Sequence, residues 1–293
     1  MFDIWNETNA LAEQQYVKDN YCIKNIDKGG GYCVIYCSSN DIWFPNEEYA
    51  FRRSFIENDY YEWMGIRCRL ASKEIYVRDI YKSWYVTGIN KRINTIEKLV
   101  DLLRILAEGR PIICIGSSSG GYLAALLSSI LRAEYAIVFS AQFELRTRHA
   151  LEENPLLQKY CTDCQRAKYY SITEQIRNSG VPIFYVYPNK SETDVQQCQI
   201  ISGVPNVHAL GFNSRHHGVV LYRSAISELI SRPFEGVTEF FAIHNGKKRS
   251  PFVTSIELAG FHNTLQDLIY RALRYLKRKV KTGIVKKEKR NED

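Results

Sequence analysis

Long apolar runs are missing from this chain: no stretch reaches the roughly eighteen residues that a membrane-spanning helix needs, so no span is expected. The opening MFDIWNETNALAEQQ carries acidic residues and no basic segment ahead of an apolar one, which predicts no secretory signal. No internal repeat is present, which excludes solenoid and propeller arrays. The cysteines, at positions 22, 33, 37, 68, 114, 161, 164 and 198, are scattered. Several lie in apolar, strand-like runs where a free thiol acts as a small hydrophobe. A reducing cytoplasm is therefore the expected setting, not a disulfide framework. Cys161 and Cys164 form a lone C-x-x-C with no second pair and no histidine pair at finger spacing, so no metal is expected.

Charge of one sign is also missing from most of the chain. The formal net charge is +7, yet residues 271–293 alone hold ten Lys/Arg against three Asp/Glu, which leaves the preceding residues formally neutral. A nucleic-acid groove spreads its cations over the folded body, so nucleic acid is not an expected partner. The basic end has two readings. Its cations suit the negative pole of a helix dipole, or they are drawn to the anionic inner face of the membrane, which requires an exposed apolar stripe beside them.

What is present is ordinary globular composition, 45% hydrophobic and 24% charged, over 293 residues with 20 tyrosines. Strand patterns occur at about 32–37, 74–80, 111–115, 135–139, 182–187 and 206–210. Between them, 93–106 places apolar residues at 96, 99, 103 and 106, one face of a helix, and 122–131 continues as another. Strands alternating with helices predict an α/β class with a mostly parallel sheet covered on both faces. The segment 141–181 exceeds a usual connection and is expected to form a cap-like insertion. Residues 1–232 are expected to form the catalytic unit and 233–293 a C-terminal helical extension. In that extension Thr254 and Glu257 have capping-box spacing, ahead of a stripe of Leu258, Phe261, Leu265, Leu268 and Ala272. Gly29-Gly30-Gly31 precedes a strand, whereas a phosphate loop follows one, so it reads as a turn.

The run IICIGSSSGGYLAALL, residues 112–127, places Gly116-Ser117-Ser118-Ser119-Gly120 between a buried strand and a helix. This is G-x-S-x-G in the context that gives the motif meaning: a sharp turn lifts Ser118 above the sheet edge, and glycines remove the β-carbons that would collide. The N–H of Ser119 then lies at a helix N-terminus, which favours an oxyanion. A Gly/Ser turn without chemistry is the competing reading.

The stretch ICIGSSSGGYLAALLSSIL followed by YAIVFSAQ resembles the α/β-hydrolase fold, over about residues 30–232. More narrowly it resembles serine enzymes of bacterial surface-polysaccharide biosynthesis, including capsule O-acetyltransferases on that fold. The resemblance implies a triad in the order serine, acid, histidine. The loop after 182–187 offers Glu192 and Asp194; Asp194 is preferred, with a helix N-cap as its competing role. The loop after 206–210 offers His216 and His217. His217 is preferred because Gly218 permits close approach, and a helix is expected from Val219. His208 is expected to be structural, and His149, His244 and His262 receive no role. A second oxyanion donor is expected from Ser39 or Asn40. Trp84 and Tyr85 are candidate sugar contacts, as are Tyr60, Tyr61 and Trp63, with aromatic core packing as the default. Arg146 and Arg148 are candidates to hold an anionic group, or solvated cap residues. The resemblance implies acyl transfer through Ser118, with acetyl-CoA as donor and a capsular glycan as acceptor. A carboxylesterase or deacetylase, and an inactive scaffold of the same fold, are the alternatives.

Overall fold

The computed structural model describes residues 2–6, 9–147, 151, 152, 154–247 and 249–273. The strands are β1 (Tyr21–Asn25), β2 (Tyr32–Cys37), β3 (Ala71–Val77), β4 (Ile112–Ser117), β5 (Tyr135–Phe139), β6 (Ile183–Pro188) and β7 (Val207–Phe212). The helices are α1 (Ala10–Tyr16), α2 (Glu48–Arg52), α3 (Ile96–Ala107), α4 (Ser119–Leu131), α5 (Pro155–Tyr160), α6 (Cys164–Ala167), α7 (Thr173–Ser179), α8 (Glu192–Ile200), α9 (Arg223–Ile230), α10 (Phe234–His244), α11 (Pro251–Ala259) and α12 (261–273).

The seven strands form one sheet in the order β1-β3-β2-β4-β5-β6-β7. Only β1 runs antiparallel, against β3. The α/β class and mostly parallel sheet expected from the pattern are therefore observed. Every residue of β4 and β5 is buried, as a strand covered on both faces requires. Alternation splits β4 between two cores: Ile112 and Cys114 pack with α3 and α4, while Ile113 and Ile115 pack with α9 and α10. In α3 the buried stripe is Ile96, Leu99, Val100, Leu103 and Ala107, which fixes this helix on the sheet. The chain leaves β2 outward to β3 and returns to β4 on the other side of β2. The carboxyl ends of β2 and β4 thus meet where the winding reverses, the usual place for a ligand crevice in an open α/β sheet.

Several boundaries depart from expectation. The third strand in the chain begins at Ala71 and ends at Val77, not at residue 80. Strand β1 was not expected; its half-exposed pairing on a sheet edge leaves only a weak apolar signature. The helix expected from Val219 starts at Arg223. The capping box at Thr254 and Glu257 does not form: α11 opens at Pro251 with Ser250 as its cap, and Thr254 lies inside it. The single stripe 258–272 is broken at Gly260, whose φ of 80° ends α11 before α12 begins. No described helix is long and apolar enough to cross a membrane.

Candidate active site

Ser118 connects β4 directly to α4 with φ 52° and ψ −122°, a conformation rarely tolerated by a residue with a side chain. Two glycines make the turn possible. A β-carbon on Gly116 would lie 2.1 Å from the Gly120 carbonyl oxygen, and one on Gly120 would lie 2.2 Å from the Cys37 carbonyl oxygen. The elbow is thereby pressed between its own helix and strand β2. The Ser118 N–H donates to Phe139 O at 2.8 Å, which ties it to β5 as well.

His217 Nε2 lies 2.9 Å from Ser118 Oγ. On its other side, His217 Nδ1 lies 2.9 Å from Asp194 Oδ2 and 3.1 Å from Oδ1. The three side chains come from the segments that follow β4, β6 and β7 at one edge of the sheet, which brings residues ninety-nine positions apart into contact. Asp194 is almost fully buried, at 1% exposure. It sits in the first turn of α8 and is not the N-cap, which is Ser191. The cap position and the carboxylate position are therefore separate, and Ser191 Oγ donates to Asp194 Oδ2 at 2.5 Å. Burial pushes the His217 imidazole down, but the hydrogen bond and charge of Asp194, with Asp41 adding to them, outweigh it and hold the group above its ordinary value. His216 is exposed and points its backbone N–H at Ser214 Oγ. Glu192 opens α8 two positions ahead of the carboxylate that meets the imidazole.

Ser119 is the first residue of α4, so its N–H has no place in the helix ladder. Its Oγ donates to Asn40 Oδ1 at 2.9 Å, and Asn40 Nδ2 in turn donates to Lys82 O at 3.3 Å. Asn40 thus ties the loop after β2 to the elbow. Ser39 differs from expectation. Its N–H donates to Glu62 Oε2 at 2.5 Å and its Oγ to Glu62 Oε1 at 3.2 Å, so this backbone donor is already taken. Burial raises the Glu62 carboxyl to about 7, against the lowering effect of the Ser39 bonds.

A cavity of about 280 Å³ opens beside Ser118 and His217, lined also by Asn40, Trp84, Gln142, Thr147 and Gln196. Trp84 has φ 51° and donates from Nε1 to Gln142 Oε1 at 3.1 Å. Its loop is fixed by buried Asp79, which accepts the N–H groups of Tyr81, Ser83 and Tyr85. Tyr85 does not line the cavity. It is fully buried and donates to Ser38 O at 2.7 Å, so it braces the loop after β2. Tyr61 and Trp63 are core residues, and Tyr60 is exposed away from the cavity lining. Arg146 is held within the 141–181 segment, donating to Ala167 O at 3.1 Å and lying over the Tyr170 ring. Arg148 lies outside the described residues, as does the basic segment 274–293. His208 stacks on Phe184, His244 contacts Glu257 and His262 pairs with Gln266.

Three contributors carried no sequence signal strong enough to single them out. Ser140 Oγ both accepts from Gly218 N–H at 3.0 Å and donates to Gly218 O at 2.9 Å, clamping the residue beside His217. Gln197 accepts the N–H groups of Phe143 and Glu144 and donates to Glu144 O, fastening the segment after β5 to the helix that carries Asp194. Glu62 is the third. Only the position of Ser140, just after a strand whose neighbour ends in the elbow, offered a clue.

No family model matches the chain, and no curated protein matches it. Among solved structures, the capsule O-acetyltransferase of Neisseria meningitidis serogroup A is similar at 12% identity, over 65% of this chain and 81% of that one, with a TM-score of 0.44. A carboxylesterase of the thaumarchaeon Nitrososphaera gargenis is similar at 13% identity, over 76% and 93%, with a TM-score of 0.42. MenH from S. aureus is similar at 11% identity, over 77% and 96%, with a TM-score of 0.40. Likenesses this weak carry no argument of their own. The chain's own architecture, a mostly parallel seven-stranded sheet with a strand–serine–helix elbow, is that of the α/β-hydrolase fold. Its elbow, its acid loop and its histidine loop all lie at the carboxyl edge of the sheet, where the hydrolase fold keeps its chemistry.

Proposed function

We propose that this chain is a serine-dependent acyltransferase that moves an acetyl group from acetyl-CoA to a hydroxyl of a bacterial surface glycan, working on the cytoplasmic side. The observation that carries the reading is the chain of contacts from Asp194 through His217 to Ser118, with 2.9 Å at each step. Ser118 Oγ attacks the thioester carbonyl while His217 Nε2 takes its proton. The oxyanion faces the N–H of Ser119 at the start of α4, with Asn40 N–H as second donor. Collapse expels the thiolate, which receives the proton from His217. An acceptor hydroxyl then gives its proton to His217 and attacks the acyl-serine. The ester leaves and the proton returns to Ser118 Oγ.

The cavity favours transfer to a sugar. Apart from the triad, its lining is amides, hydroxyls and one indole: Asn40, Gln142, Thr147, Thr193, Gln196, Gln197 and Trp84. Such groups match the hydroxyls and the apolar face of a sugar ring. Its roughly 280 Å³ suits an acyl group and one ring, so the nucleotide part of the donor would lie outside it. Arg146 belongs to the insertion and is left out of the site.

A carboxylesterase or deacetylase uses the same triad, with water in place of the sugar. The assembled triad speaks against an inactive scaffold. Incubation with acetyl-CoA, read by intact mass, is expected to give an acetyl adduct on the wild type and none on Ser118→Ala. Glycan acceptors are expected to discharge that adduct faster than water. An adduct discharged equally by water alone identifies an esterase. Failure of Ser118 to react with both acetyl-CoA and a fluorophosphonate probe removes the catalytic reading.

A further inference from the structure

Helix α12, residues 261–273, is held to the body along a narrow line. Ser224 N–H and Oγ donate to Asp267 Oδ2 at 2.7 and 2.6 Å. Arg271 Nη2 donates to Leu221 O at 2.7 Å, and its guanidinium lies over the Tyr222 ring at 4.5 Å. Thr264 is fully buried on the same side. At about 100° per residue, Phe261, Leu265, Leu268, Ile269, Ala272 and Leu273 fall in the adjoining sector of the helix. That sector faces solvent: Phe261 is 61% exposed, Leu268 39%, Ile269 51% and Leu273 52%. A contiguous row of large apolar side chains in water is a contact surface without its partner.

The sequence indicates the sign of the partner's charge. Arg271 is held on the body, but residues 274–293, which follow directly after the apolar sector, carry nine Lys/Arg against three Asp/Glu. We propose that α12 docks on an anionic lipid surface, its apolar sector entering the interface while the basic residues that follow meet the headgroups. Neither signal alone gives firm attachment; an apolar helix face joined to a polybasic segment gives both. A second copy of the chain fits less well, because pairing two such faces brings two cationic segments together. A nucleic acid would neutralise the charge and leave the apolar sector in water. The inference does not depend on which acyl acceptor the active site uses.

The test is co-sedimentation of the full chain with phosphatidylcholine vesicles, with and without phosphatidylglycerol. Binding is expected only with the anionic lipid, weakening as salt is raised. The triple variant Leu268→Ser, Ile269→Ser, Leu273→Ser is expected to bind at least about tenfold more weakly. Fluorophosphonate labelling of Ser118 at the wild-type rate shows that this variant is folded. The proposal is overturned if the full chain ignores anionic vesicles, or binds neutral ones equally, or if the triple variant binds as the wild type does. It is overturned equally if sedimentation velocity shows a dimer that the triple variant dissolves, which assigns the face to a second copy. Salt-sensitive binding to duplex DNA at the same strength as to vesicles, unchanged in the triple variant, assigns the charge to nucleic acid instead.

Discussion

Asp194 is withdrawn from water, accepts from Ser191 Oγ, and faces the imidazole of His217. Replacing it by asparagine keeps the shape and removes the charge that holds the imidazole up. Asp194→Asn is expected to lower the turnover of an activated acetyl ester by about 10,000-fold, because the tautomer is no longer fixed. The pH dependence follows with a definite sign. In the proposed reaction His217 must be neutral to take the serine proton, so activity is expected to be lost as pH falls through its raised pKa. In Asp194→Asn the remaining activity persists to lower pH, since burial then acts on the imidazole with less opposition. Glu62 gives the opposite kind of signal. Its carboxyl ionises near 4.5 in the unfolded chain and at about 7 when folded. The folded protein binds the extra proton between those values, so this group makes stability fall as pH rises across that window. Glu62→Gln is expected to flatten the fall, measured as urea midpoints at several pH values across the window.

At the scale of elements, the elbow depends on how closely α4 approaches β2. Gly120→Ala places a methyl 2.2 Å from a backbone carbonyl that belongs to the sheet and has nowhere to move. A loss of at least about 1–3 kcal/mol is expected, read by chemical denaturation, together with loss of fluorophosphonate labelling as Ser118 shifts. The histidine loop has no helix of its own until Arg223 and relies on Ser140 instead. Ser140→Ala leaves both backbone groups of Gly218 without this hydroxyl. It is expected to cut kcat roughly tenfold with little change in KM, because the imidazole loses its aim and the binding cavity is untouched.

At the scale of the molecule, two cores grip the sheet from either side and the C-terminal helix stands on the margin of one of them. Asp267 is its main polar anchor, accepting two bonds from Ser224. Asp267→Ala is expected to raise amide exchange across 261–273 while Ser118 still labels at the wild-type rate. Equal protection in the variant would show that packing, not this carboxylate, holds the helix.

Periodicity and turn chemistry determined the parallel strands of the sheet and the elbow, and the family resemblance added the order that pointed to the loops of the acid and the histidine. Buried parallel strands must be short apolar runs, and a nucleophile turn pressed between helix and strand must be built from glycine. These constraints are local and are written in consecutive residues such as 112–121. What lay beyond the sequence depends on contacts across long separations. Ser39 looked like an oxyanion donor until Glu62 took its N–H. Tyr85, a candidate sugar contact with core packing as its default, takes the default and braces the loop after β2. The stripe from 258 to 272 read as one helix, packed or exposed, until Gly260 divided it and left much of the second half in solvent. A donor's availability and an apolar side chain's exposure are set by whichever residue the fold brings alongside, and only the tertiary structure decides that neighbour.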